Sequence, residues 1–146
     1  MSEQHFEVIV VGAGFAGLYL AHKLSSHGRT TRVLEQGSDV GGTWYWNRYP
    51  GARCDAESLA YSFSFSSELE QSWQWSERYA QQPEILSYAR HVADYFQLRP
   101  LIQFNTQVTS AIWQEAQSHW EIVTAVGERF TAAFCIMATG CLSVPQ

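Results

Sequence analysis

The 146-residue sequence predicts an α/β fold with a parallel sheet, an antiparallel β-meander and a helical insertion. Three observations lead there. An apolar, β-branched run at residues 6–11 passes directly into Gly12-Ala-Gly-Phe-Ala-Gly17 and then into a helix-compatible segment. Between residues 84 and 98, Ile85, Tyr88, Ala89, Val92 and Phe96 recur at spacings of three and four. From Ile102 the apolar period drops to two.

The elements follow in order. Residues 6–11 (FEVIVV) lack polar alternation, as expected of a strand buried on both faces of a parallel sheet. Residues 18–24 suit a helix that ends near Gly28. Residues 30–35 (TTRVLE) read as a second strand, giving a β-α-β start. Residues 36–66 form an irregular stretch rich in Gly, Trp, Tyr and Arg, and an ordered loop of that length usually serves function. Residues 68–79 read as helical. Pro83 sits where a first helical turn accepts proline, so the next helix spans 84–98, with Pro100 just beyond. Val108, Ser110 and Ile112, and then Trp120, Ile122 and Thr124, alternate with their neighbours. With Gly127 as a turn, residues 107–131 form an antiparallel meander that packs on the parallel sheet. Residues 134–138 (FCIMA) read as another fully buried strand, running into Thr139-Gly140.

Composition excludes several classes. Apolar residues make up 46%, enough for a core rather than a disordered chain. Nine Lys and Arg against 14 Asp and Glu leave a net charge of −5, which argues against nucleic acid or an anionic membrane as partner. Cys54, Cys135 and Cys141 lack metal-ligand spacing, and His5, His22, His27, His91 and His119 show none either, so no metal is expected. An odd number of cysteines fits a reducing cytoplasm. The start carries Glu3 and Glu7 rather than a basic signal-peptide region, and the longest apolar stretch, residues 8–21, is too short to cross a bilayer. The unusual figure is the aromatic content, 14% with six Trp.

Gly12, Gly14 and Gly17 match G-x-G-x-x-G in the context that gives the motif meaning, after a strand and at the start of a helix. The first allows a tight turn, the second close approach of a pyrophosphate, and the third packing of helix on strand. The alternative is a Gly-rich turn of some other α/β fold. Glu35 ends the second strand, where a carboxylate accepts hydrogen bonds from ribose hydroxyls and repels a 2′-phosphate. That favours FAD or NAD over NADP at this position; the alternative is a solvated strand-end glutamate. The following segment leans to FAD. Gly41 and Gly42 allow backbone to pass close to a flat ligand, and Trp44, Tyr45 and Trp46 offer walls for an isoalloxazine, although core packing would account for one or two of them. Thr139 and Gly140 offer a second close backbone approach. Cys54, beside Asp55, is not read as a nucleophile.

The run Gly41-Gly42-Thr43-Trp44-Tyr45-Trp46-Asn47-Arg48-Tyr49-Pro50-Gly51-Ala52-Arg53-Cys54-Asp55 resembles the signature G-G-x-W-x-x-x-x-[FY]-P-[GM]-x-x-x-D of type I Baeyer–Villiger monooxygenases, which are class B flavoprotein monooxygenases. The resemblance continues through Tyr61-Ser-Phe-Ser, Trp75-Ser-Glu-Arg-Tyr79, Gln82-Pro83-Glu-Ile-Leu86 and Ala138-Thr-Gly-Cys-Leu-Ser143, in the manner of the phenylacetone and steroid monooxygenase branch. It implies a Rossmann-like FAD-binding domain. Gly12, Gly14, Ala16, Gly17 and Glu35 would correspond to the FAD nucleotide site. Gly42, Thr43, Trp44, Tyr45, Trp46, Asp55 and Tyr61 would line the flavin, and Val108 would touch its adenine half. Arg53, Cys54, Asp55 and Ala56 would form a segment that also meets the nicotinamide cofactor. The family aspartate matched by Asp55 holds a catalytic arginine. Without the family, Asp55 has a plainer reading as a loop carboxylate paired with Arg53 or Arg48.

The resemblance further implies NADPH, O₂ and a small ketone as reactants and an ester or lactone as product. Members of the family are several times longer. Their F-x-G-x-x-x-H-x-x-x-W fingerprint, NADP-binding domain, catalytic arginine and final FAD-domain strand have no counterpart in these 146 residues. Residues 1–146 are therefore expected to be the N-terminal part of an FAD-binding domain, incomplete at its C-terminus. Two other readings stand beside this one: an N-hydroxylating or dimethylaniline-type flavin monooxygenase, and a non-catalytic, truncated FAD-binding module.

Overall fold

A computed structural model describes residues 4–142. Glu3 of the acidic start and Ser143 of the last resembling segment lie outside them. In chain order the elements are β1 (Gln4–Val11), α1 (Phe15–Ser26), β2 (Thr31–Leu34), the helical turns α2 (Thr43–Trp46), α3 (Ser58–Tyr61) and α4 (Ser67–Gln71), α5 (Gln82–Tyr95), a 3₁₀ turn (Arg99–Leu101), β3 (Ile102–Gln103), β4 (Val108–Gln114), β5 (His119–Thr124) and β6 (Arg129–Met137). The strands form one six-stranded sheet of order β3-β2-β1-β6-β5-β4.

β1 is parallel to both neighbours, with Val10 opposite Val33 on one side and Ile136 on the other. Its apolar run is buried on both faces, as the missing alternation requires. Val8 and Val10 pack with Leu18 and Ala21 of α1 and with Ala89 and Ala93 of α5. Ile9 and Val11 face the other way, toward Leu34, Ile122, Phe130 and Ala132. Each such side chain contributes about 1.5–3 kcal/mol when fully buried. α1 ends where the N–H groups of His27 and Gly28 turn back to the carbonyls of Leu24 and Ser25. α5 buries Ile85, Leu86, Tyr88, Ala89, Val92 and Ala93, the stripe its spacing predicts. It stops at Tyr95, short of the expected residue 98, because Gln97 adopts a left-handed conformation with φ 52°.

Three expectations change, and one pairing is added. The helix expected over 68–79 is a single turn, α4. Beyond it Trp73 and Trp75 fold onto Tyr88, with ring centroids 5.4 and 5.0 Å away, so aromatic packing overrides helix propensity. The meander does not pack on the parallel sheet; it is part of it. β6 pairs antiparallel with β5 over residues 129–132 and parallel with β1 over residues 130–137. Residues 134–138 are not buried on both faces. Among the described residues, residues 133–137 have a strand neighbour on the β1 side only, and Phe134 and Met137 are 65% and 59% exposed. Finally, β3 adds a parallel pairing of Val33 with Ile102 that two residues are too few to announce by periodicity.

Asp39 ties the long loop to the helical layer. Its carboxylate accepts from Arg90 at 2.7 Å and from Arg99 at 3.0 Å, and from the Val40 N–H at 2.8 Å. Burial pushes the Asp39 carboxyl up, but the hydrogen bonds from Arg99, Arg90 and Val40 outweigh it and hold the pKa below its ordinary value. A carboxyl depressed by folding contributes stability above its unfolded pKa, about 3.9 for aspartate, and that contribution is lost as pH falls through the folded value. The partly exposed guanidinium groups limit it to about 1 kcal/mol. Asp39→Asn is therefore expected to lower the urea midpoint at pH 7 and to lose less than the wild type between pH 5 and about pH 3. Parallel pH profiles for the two proteins would overturn this.

Candidate functional site

The parallel strands β2, β1 and β6 end on the same edge of the sheet. β2 lies on one side of β1 and β6 on the other, so the chain order reverses there. Doubly wound sheets bind ligands in the crevice at such a point. Here a cleft of about 640 Å³ is lined by Val11, Leu34 and Met137, the last residues of the three strands. That volume lies within the range of small-molecule sites.

The glycine loop forms one wall, with Gly12, Gly14, Phe15 and Ala16 facing the cleft. Gly12 has φ +105°, and a Cβ there would lie 2.6 Å from the Ala138 carbonyl oxygen. Gly14 and Gly42 face each other: a Cβ on Gly42 would come within 2.8 Å of the Gly14 Cα. These two glycines therefore make room for a second stretch of backbone as well as for a ligand. Their approach, with the Gly41 N–H donating to the Ala13 carbonyl at 3.0 Å, draws residues 41–44 to the cleft. Gly14 caps α1 without a side-chain hydrogen bond, and the first turn holds no acidic residue. Its amide donors and the positive end of the helix dipole are thus left for an anion.

Glu35 is 5% exposed and lines the cleft. Its Oε2 accepts from the Ala13 N–H at 2.6 Å and its Oε1 from the Gly37 N–H at 2.7 Å. Each oxygen retains acceptor capacity for a hydroxyl, since a carboxylate offers about four lone-pair sites. Glu35 therefore also holds the glycine loop in place. Opposite chemistry comes from Trp44, Trp46 and Tyr61. The Trp44 Nε1–H donates to Tyr61 Oη at 2.9 Å, with the rings nearly perpendicular at 87°. Burial pushes the Tyr61 hydroxyl up despite that bond, so it keeps a proton to donate. Gln82 holds this wall to α5 by donating from Nε2 to the Trp44 carbonyl.

Of the residues singled out from sequence, Gly12, Gly14, Ala16, Glu35, Gly42, Thr43, Trp44, Trp46, Tyr61, Val108, Thr139 and Gly140 meet at this cleft. Gly17, Tyr45, Arg53, Cys54, Asp55 and Ala56 do not line it. Gly17 packs under the loop, where a Cβ would lie 1.9 Å from the Gly12 carbonyl oxygen. Arg53 pairs with Glu77 at 2.6 Å and donates to the Tyr79 carbonyl at 2.7 Å. Cys54 is buried and its Sγ accepts from the Ala56 N–H at 3.4 Å. Asp55 is exposed and has no side-chain hydrogen bond or ion pair among the described residues; Arg48 donates instead to the Tyr45 carbonyl. Gly41, read from sequence as a close backbone approach, lines it too, and Phe15, Gln36, Thr106, Gln107 and Ala138 join the lining without a sequence signal of their own. Among the described residues no His, Cys, Asp and Glu cluster could hold a metal ion, and no helix is long and apolar enough to cross a membrane.

Comparison with known proteins places this geometry. A family described as an NAD(P)-binding Rossmann-like domain matches residues 10–78. A phenazine N-monooxygenase of Lysobacter antibioticus is 46% identical over 97% of this chain and 27% of its own length. A Baeyer–Villiger monooxygenase of Pseudooceanicola batsensis is 46% identical over 94% of this chain and 26% of its own. A solved structure of an oxidized steroid monooxygenase bound to NADP is 56% identical with a TM-score of 0.92, over 94% of this chain and 26% of that one. The chain thus spans about a quarter of the length of the relatives it matches.

Proposed function

Because this chain is homologous to Baeyer–Villiger monooxygenases over nearly all of its length, we propose that it is the FAD-binding portion of an NADPH- and O₂-dependent flavin monooxygenase that converts a ketone into an ester or lactone. Residues 1–146 would be the N-terminal part of its FAD-binding domain, and the NADP-binding domain would belong to the remainder of a longer, cytoplasmic parent. The observation that carries the cofactor assignment is the cleft at the ends of β1, β2 and β6. It combines a helix N-terminus free of side-chain caps, a buried carboxylate and an aromatic wall. Those groups fit FAD: the loop amides would hold its pyrophosphate, Glu35 its ribose, and Trp44, Trp46 and Tyr61 its ring system. When bound, FAD would supply the redox chemistry that activates oxygen. The residues of this chain bind and orient it. Asp55, exposed and unpartnered among the described residues, is available to anchor an arginine from the rest of the parent. Preorganised positive charge of that kind stabilises the anions that develop during oxygen transfer.

The phenazine N-monooxygenase relative supports a second reading, oxygenation at nitrogen. A purified full-length parent given NADPH, O₂ and either a cyclic ketone or a phenazine separates the two by product. Only the ketone should be converted, with one oxygen added beside the carbonyl. In that protein Asp55→Ala is expected to slow oxygenation while FAD stays bound. Loss of FAD instead would make Asp55 a flavin ligand. The 146-residue chain alone is expected to convert no ketone, and an ester product from it would overturn the division of labour proposed here.

A further inference from the structure

Tyr45 stands among the residues expected at the flavin, yet it does not line the cleft. Its surroundings give it another task. The Tyr45 Oη accepts from the Ser38 N–H at 3.2 Å and shares a hydrogen bond with the Ser38 Oγ at 2.9 Å. The ring lies against Gly37 so closely that a Cβ built there would be 2.8 Å from Tyr45 Cε1 and 3.1 Å from Glu35 Oε1. Position 37, between an aromatic ring and a carboxylate, therefore has no room for a side chain. Its N–H donates to Glu35 Oε1 at 2.7 Å, and its carbonyl accepts from the Asn105 N–H at 2.9 Å.

We infer that Tyr45 is a positioning residue for Glu35: its ring and hydroxyl clamp residues 37 and 38 from outside the cleft, and the clamped Gly37 N–H fixes the carboxylate that faces the ligand. The inference rests on the proposed FAD site. A carboxylate that must accept two hydroxyl hydrogen bonds gains from being held in one orientation before the ligand arrives, because the ordering cost is then met in folding rather than in binding. Tyr45 also meets Trp46, with ring centroids 4.8 Å apart, and packs in the same cluster as Trp44, and these contacts offer competing routes to the ligand.

Two cycles test the inference in the 146-residue chain. In the first, FAD affinity is read by flavin fluorescence for Tyr45→Ala, Glu35→Ala and the double variant. Tyr45→Ala should weaken FAD roughly tenfold, the scale of one charge-assisted hydrogen bond. It should have no further effect once Glu35 is replaced. Additive losses would mean that Tyr45 acts through Trp44, Trp46 or general stability, and would overturn the inference. Tyr45→Phe, which keeps the ring on Gly37, should recover most of the affinity. In the second cycle, Gly37→Ala should lower the urea midpoint in the wild type and far less beside Tyr45→Ala, where the colliding ring is gone. Equal shifts in both backgrounds would also overturn it. If the 146-residue chain, only part of the proposed FAD-binding domain, binds no FAD, the second cycle decides the clamp alone; a purified full-length parent without FAD is what would count against the cofactor reading.

Discussion

Gly17→Val is expected to leave no stably folded protein, and Gly17→Ala to lose about 3 kcal/mol or more. A Cβ at Gly17 would meet the Gly12 carbonyl oxygen at 1.9 Å and its carbon at 2.9 Å. Backbone cannot rotate away as a side-chain tip can, and Gly12 is itself held on two sides. Its N–H donates to the Leu34 carbonyl at 2.8 Å, and its own missing Cβ leaves only 2.6 Å to the Ala138 oxygen. Relief at Gly17 would therefore displace the junction of β1, β2 and β6 together. Against a typical stability of about 5–15 kcal/mol, such a loss is decisive for a small sheet domain. Soluble yield and the urea transition followed by circular dichroism check this. A Gly17→Ala chain with the midpoint of the wild type would show that α1 can shift freely, contrary to the contacts described.

Glu35→Ala should show two losses at once. Removing the carboxylate leaves the Ala13 and Gly37 N–H groups buried without their acceptor, at about 1–3 kcal/mol each. It also removes the ribose acceptor, which should weaken FAD by about 1–3 kcal/mol. Glu35→Gln separates the roles more finely. Its amide oxygen can satisfy one backbone N–H, but its NH₂ group then confronts the other as donor against donor. Glu35→Gln should therefore fall between the wild type and Glu35→Ala in both urea midpoint and FAD affinity. If Glu35→Ala alters neither, the carboxylate is neither the support of the loop nor a cofactor ligand.

What the sequence disclosed about this site follows from how local each signal is. Gly12, Gly14, Gly17 and Glu35 are recognisable because a turn, a helix start and a strand end each depend on neighbouring residues. Val11, Leu34 and Met137 stand next to or two residues from such marked positions, but as apolar strand ends they read as core. They line the cleft only because the sheet order sets three strand ends side by side. What makes them lining residues is their place as the last residue of a parallel strand at the point where the order reverses. In sequence Tyr45 reads together with Trp44 and Trp46 because all three are aromatic. Consecutive residues on a helical turn point about 100° apart, so three in a row cannot all face one wall. The segment of Trp73 and Trp75 defeated helix propensity for the same general reason: its rings find Tyr88, a partner more than ten residues away, which no local window contains.

The dual pairing of β6 sets the order in which the molecule can be made. β1 is among the first parts of the chain to be synthesised, but its partner on one side spans residues 130–137, so the register joins Gln4 to Phe130 and Val11 to Met137. Until those last residues have appeared, one flank of β1 stays bare, and only the neighbouring β-α-β unit can shelter it. Contacts so distant along the chain slow folding, because a large loop must close before any of them is gained. The same strand binds β5 to the parallel strands, so the meander has no separate edge along which to detach. Folding on the ribosome should therefore leave residues 4–34 only partly ordered until β6 has emerged, and limited proteolysis of stalled chains ending before and after residues 130–137 checks this.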